Sequence, residues 1–124
     1  MATPISDNVK MLTARITHEV CRQLNLFYGD AEHRPWQDMN EEEKHRALSG
    51  VEMALNDPNL TPEAIHATWV KTMLADGWRL GEMRDPMKKT HPCIRPYIEL
   101  EDKDKLKDVL FLAVVRVISN ENKA

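Results

Sequence analysis

The chain has 124 residues, 42% of them hydrophobic and 30% charged, a balance close to that of globular domains and unlike that of disordered segments. This length gives one compact domain, with no room for a second, and buries enough surface to fold without a disulfide or a structural metal. Seventeen basic and twenty acidic residues leave a net charge of −3, which argues against duplex nucleic acid or an anionic membrane as partner.

Met1-Ala-Thr-Pro-Ile5 lacks the basic start and apolar core of a secretion signal. No window reaches the ~18 apolar residues of a membrane span. Cys21 and Cys93 form neither a CxxC pair nor a disulfide framework. A cytoplasmic protein with reduced thiols is expected.

Ile5, Val9, Leu12, Ile16, Val20, Leu24 and Phe27 recur every three or four residues and predict a helix from about Asp7 to Tyr28. Ser6 is placed to cap it, and Gly29-Asp30 ends it. After a polar loop carrying Trp36, Asn40 with Glu43 three positions on predicts the start of a second helix, which runs to Asn56 before Asp57-Pro58. Thr61-Pro62-Glu63 opens a third helix with a capping hydroxyl, a first-turn proline and an acid. It presents Ile65, Trp69 and Met73 on one face, and Gly77 stops it.

Gly81, Pro86, Pro92 and Pro96 forbid a long helix between Trp78 and Leu100 and leave room for short strands and turns. Helix resumes near Asp102, with Leu106, Val109, Leu110, Ala113 and Val117 as its expected core-facing stripe and its end near Ser119. The fold class is mainly α with short β strands (α+β): a small four-helix domain with a structured, proline-rich insert before the last helix. Residues 1–62 read as a helical extension packed on residues 63–119, and residues 120–124 as a frayed tail.

The insert and its flanks read His66-Ala-Thr-Trp69, Asp76-Gly-Trp78, Leu80-Gly81, Asp85, Lys88-Lys89-Thr-His91-Pro92-Cys93, Pro96-Tyr97 and Leu100. From about Glu63 to Ile118 this order and spacing resembles the ryanodine receptor repeat. That module is found in pairs in calcium-release channels and singly in short bacterial and bacteriophage proteins. Trp36 and the acidic helix containing Ser49-Gly-Val51 resemble, more loosely, the extension of the single-repeat phage proteins. Leu80 departs from the pattern, because members commonly carry an aromatic residue there. The resemblance implies a mainly helical, non-catalytic module that binds ligands or partners, with a link to nucleotide-derived signals among prokaryotic members. In a phage setting its compartment would be the host cytoplasm. The family's pairing of repeats also implies a homodimer, the commonest closed assembly.

The candidate ligand-binding residues are Trp69, Trp78, Arg84, Asp85, Lys88, Lys89, His91 and Tyr97. Trp69 shares a stripe with Ile65 and Met73 and reads first as a core ring, whereas Trp78 and Tyr97 sit where a ring can pack and still offer a face or polar end. Arg84, Lys88, Lys89 and Arg95 against Asp85 alone make a local +3, while residues 30–63 hold nine acids and three bases. The basic stretch reads either as the rim of an anion site beside stacking rings or as a solvated loop. His91 is expected to hydrogen-bond the backbone of its own loop. His66, His18 and Cys21 are loose companions at best, so no metal and no cofactor is expected. No phosphate loop, serine elbow or convincing Cys/His/Asp set points to an enzyme. The reading is a non-enzymatic module holding an anionic, nucleotide-derived small molecule for sensing or sequestration. Its rival is a protein-interaction module without a small ligand.

Overall fold

The computed structural model describes residues 5–30 and 34–122. Four helices carry the fold: α1 (Asp7–Phe27), α2 (Glu41–Asn56), α3 (Pro62–Ala75) and α4 (Asp102–Glu121). Each of the first three begins where a side chain accepts one of the unpaired first-turn N–H groups. Ser6 accepts from Val9 N at 3.2 Å, and Thr61 from Ala64 N at 3.1 Å. At Asn40 the capping box closes in both directions, with Glu43 N donating to Asn40 Oδ1 at 2.8 Å. Gly29 (φ 86°) and Gly77 (φ 89°) take the left-handed conformation that ends α1 and α3.

α4 is the hub, packing against α1, α2 and α3, most extensively against α1. Ala14, Val51, Ala54, Leu60, Ile65, Leu112 and Val115 fill the main core between the four helices. Met73, Trp78 and Ile94 form a second cluster beneath the insert, with Trp69 and Val70 against it. Arg116 ties α4 to the α2–α3 turn by donating to the Leu60 carbonyl.

Two helix faces differ from expectation. α4 buries Leu112 and Val115, while Leu106, Val109, Ala113 and Val117 stay exposed. α1 buries Thr13, Ala14, Thr17 and Asn25, and leaves Leu12, Ile16 and Phe27 at the surface. Small side chains explain this choice at Thr13, Ala14 and Thr17, because Ala and Thr let two helix backbones approach closely, whereas Asn25 is buried with neither side-chain amide atom hydrogen-bonded. The buried hydroxyls are satisfied within their own helix: Thr13 Oγ1 donates to Val9 O at 2.7 Å, and Thr17 Oγ1 to Ala14 O at 3.0 Å. Burying them therefore leaves no unmade hydrogen bond. α4 also continues through Glu121, so Asn120 and Glu121 are helical rather than part of a frayed tail. Residues 123–124 of that tail lie outside the described residues.

The insert contains a minimal parallel sheet, β1 (Arg79–Leu80) and β2 (Thr90–His91), paired Arg79 to Thr90 and Leu80 to His91. Parallel neighbours usually need a crossover of a dozen or more residues. Here residues 81–89 suffice because the chain folds back on itself: Asp85 and Thr90 exchange both backbone hydrogen bonds, and Lys89 turns the corner at φ 55°. Gly81 permits the close approach, since a Cβ there would lie 2.6 Å from Thr90 Cβ. Gly81→Ala is therefore expected to destabilise the chain by ~1–3 kcal/mol. Thr90→Gly in the same chain should recover part of that loss, and urea denaturation of the four members of the cycle measures both.

Candidate functional site

A cavity of about 690 Å³ opens between α2, α3, the insert and α4, within the size range of small-molecule pockets. One wall is a ring system. Trp69 stacks on His66 with centroids 5.5 Å apart and takes the edge of His91 at 4.9 Å. Trp78 closes the wall behind them, buried in the second cluster with Met73 and Ile94. The ring array follows from local sequence: His66 and Trp69 are three residues apart on α3 and so share a face. His91 is fixed as expected, its Nδ1 accepting from Cys93 N at 3.0 Å.

The rest of the lining is charged and internally paired. Glu43 of α2 takes Arg34 on one carboxylate oxygen and faces Arg84 of the insert at 3.7 Å with the other. Arg46 lies 3.1 Å from Glu42 and 3.6 Å from Asp76. Lys107 bridges Asp104 at 3.0 Å on α4. Four cationic side chains thus share this lining with five carboxylates. The acidic and basic segments seen in the sequence meet here, at Glu43 and Arg84.

At the floor Asp108 of α4 faces His66, Nδ1 to carboxylate 3.9 Å. His66 Nε2 lies 2.8 Å from the Arg95 carbonyl, which only accepts, so Nε2 carries a proton there. Burial pushes the Asp108 carboxyl up to about 7; Lys107 opposes that shift and Asp104 reinforces it. Burial also works against ionisation of Asp104, but hydrogen bonding and charge from Lys107 outweigh it and hold that carboxyl below its usual range. Burial raises both thiols that reach the cavity, Cys93 to about 12 with help from the Asp104 charge and Cys21 to about 11. They stay un-ionised and poorly nucleophilic at neutral pH.

Of the eight residues singled out from the sequence, the cavity brings together Trp69, Trp78, Arg84 and His91. The other four serve the insert. Asp85 accepts from Met87 N at 3.0 Å and Lys88 N at 3.3 Å and so shapes the turn, while Lys88 is exposed. Lys89 Nζ donates to the Asp76 carbonyl at 2.8 Å. Tyr97 donates its hydroxyl to the Lys105 carbonyl at 3.1 Å, and its ring lies under the Lys105 ammonium. Arg95 is also turned inward on its loop, donating Nε–H to the Pro92 carbonyl at 2.8 Å. Sequence reasoning missed Asp108, Arg46 and Glu43. One signal was legible: Asp104, Lys107, Asp108, Leu112 and Val115 lie at helical spacing. The uninterrupted stripe through Leu106, Val109, Ala113 and Val117 outshone it.

A family model for the RyR domain matches residues 49–113, just over half of the chain. The chain belongs to the RyR domain family. The match opens at Ser49 inside α2 and closes at Ala113 inside α4, so the family's segment supplies much of α2, all of α3, the whole insert and the first half of α4. Within this RyR domain chain, Arg34, Glu43 and Arg46 come from outside the matched segment and complete the cavity.

Asp108 makes the stability of this RyR domain chain pH-dependent. Its carboxyl titrates at 3.8 when unfolded and at about 7 when folded, so between these values the folded chain holds a proton that the unfolded chain releases. The contribution is fully present below about pH 4 and is lost as pH rises through 7. The groups facing Asp108 are His66 from α3, Cys21 from α1 and Tyr97 from the insert, with Lys107 and Asp104 on its own helix. Thermal unfolding is expected to show a falling midpoint from pH 5 to pH 8 (roughly the window set by the two titrations), and Asp108→Asn should flatten that slope.

Proposed function

We propose that this RyR domain chain is a non-catalytic binding module whose cavity takes a small, nucleotide-derived anion with a flat ring. The cavity itself carries the reading: aromatic and imidazole rings and arginines held by carboxylates line it together. A planar base fits against Trp69 and His91, where ring stacking is favourable. An oxyanion fits toward Arg84 and Arg46, whose planar guanidinium groups keep N–H donors beyond those engaged by Glu43, Glu42 and Asp76. The carboxylates fix the arginines in position before a ligand arrives, which lowers the ordering cost of binding. Binding is favoured over catalysis by the un-ionised thiols, and the RyR domain is not a known catalytic family. A module of this kind senses or sequesters its ligand in the cytoplasm of a bacterium or of a phage-infected host.

Thermal-shift screening against nucleotides, cyclic nucleotides and their nucleosides tests the reading, because a ligand that binds only the folded chain raises its midpoint. A binder is expected to quench tryptophan fluorescence and to lose affinity as salt rises and the Debye length contracts from ~10 Å at 0.1 M to ~3 Å at 1 M. Arg84→Ala should weaken a phosphate-bearing ligand about tenfold, or ~1.4 kcal/mol, and leave folding stability nearly unchanged. Trp69→Ala should weaken nucleotide and nucleoside alike. No shift with any nucleotide at millimolar concentration would overturn the proposal in favour of a module that binds protein alone.

A further inference from the structure

α1 and α4 run antiparallel. Near one end the Cys21 thiol meets the Lys107 carbonyl, and further along Ala14 joins Leu112 and Val115 in the core. About a third of a turn round α1 from its buried face, Leu12, Ile16 and Phe27 stand exposed, at 53%, 36% and 84%. On the outer side of α4, Leu106, Val109 and Val117 are exposed at 38%, 45% and 61%, with Ala113 exposed between them. Half-buried Val20 and Leu24 on α1 and Leu110 and Val114 on α4 lie on the α1–α4 side of these stripes and join them across the seam. The result is one apolar surface spread over two helices. Gln23, exposed and bonded to Glu19, is the polar residue that stands between Ile16 and Phe27 on the α1 stripe.

The face is too large to be scattered surface hydrophobes. A phenylalanine ring alone brings ~150–250 Å² when fully buried, so Phe27 with the aliphatic residues supplies on the order of the ~800 Å² per partner of a standard interface. Monomers rarely expose apolar patches beyond ~300–600 Å². Its relief is self-complementary. The α1 side is a ridge of large residues, Leu12, Ile16 and Phe27, and the α4 side is a shallower strip of smaller ones, Val109, Ala113 and Val117, with Leu106 at its N-terminal end. A two-fold axis sets each ridge against the other protomer's strip, so that both partners bury both halves, as an isologous interface requires. The small net charge of −3 offers little long-range repulsion between copies.

The geometry points to a homodimer in which the α1 and α4 faces of two copies of this chain pack together about a two-fold axis, forming a four-helix layer. The exposed stripe that periodicity marks as core is then core after all, but in the assembly rather than in the protomer. The cavity is lined by Asp104, Lys107, Asp108 and Phe111 on the other side of α4 and by His18 and Cys21 of α1, so no residue of the face lines the cavity.

Light scattering and sedimentation of the full chain, from micromolar to submillimolar concentration, test the inference. The expected mass is twice the 14.3 kDa of the chain. Leu12→Glu on α1 and Val109→Glu on α4, made separately at exposed positions, should each return the mass to that of one chain with helical circular dichroism retained. Lys88→Glu, on the exposed insert away from this face, should leave the dimer intact. A wild-type chain that stays monomeric throughout the range overturns the proposal. So does a dimer that survives both glutamate substitutions.

Discussion

α4 carries two apolar faces and can bury only one of them against its own chain. The face through Leu112 and Val115 is buried, and it brings Asp108 inward with it. Two consequences follow from that single rotation. A carboxyl enters the cavity beside His66, where partial burial raises its affinity for a proton. The more continuous stripe through Leu106, Val109, Ala113 and Val117 is turned outward beside the exposed residues of α1. The cavity and the apolar surface are thus two sides of one packing decision. α1 makes that decision possible by presenting Thr13, Ala14 and Thr17, which allow a close approach that its own leucines and isoleucines would block.

The insert solves a different problem, which is to hold Trp78 and His91 rigidly at the edge of a helical domain. A two-residue sheet has little stability of its own. Its stability comes from fixed corners: Gly77 and Lys89 in the left-handed region, Gly81 under Thr90, and Asp85 gathering the N–H groups of the turn. Lys89 reaches back to the Asp76 carbonyl at the end of α3 and so locks the insert to the helix that carries Trp69. Much of the local positive charge is consumed in building this loop. Arg84 alone of the insert's cations lines the cavity.

Glu43 links the cavity wall to the remainder of the fold. It caps the first turn of α2, engages Arg34 in the preceding loop and reaches Arg84 in the insert. Its two carboxylate oxygens meet different segments, so this arrangement links three segments through one side chain. The pairing holds the arginines of the cavity in position, which is the preorganisation that the proposed binding of a small anion would use.

The sequence by itself determined the helices, their caps and their ends. Ser6, Asn40 with Glu43, Thr61 with Pro62, and Gly29 and Gly77 act on backbone groups within a few residues, so their effect is legible without knowledge of what lies across the chain. The spacing of Trp, Gly, His and Pro residues from Trp69 to Tyr97 likewise carried the family, and with it four residues of the cavity. Periodicity could not say which face of α1 or α4 is buried. Hydrophobicity records that a side chain avoids water, whereas packing against the same chain or against another is decided by shape and close approach. The partners of Lys88, Lys89 and Tyr97 were equally hidden, since a charge or hydroxyl reads the same whether it meets a ligand, solvent or a backbone carbonyl. Asp108 became a floor residue only when α3 and α4 met, because its proton affinity depends on burial against groups 40 or so positions away, His66 among them.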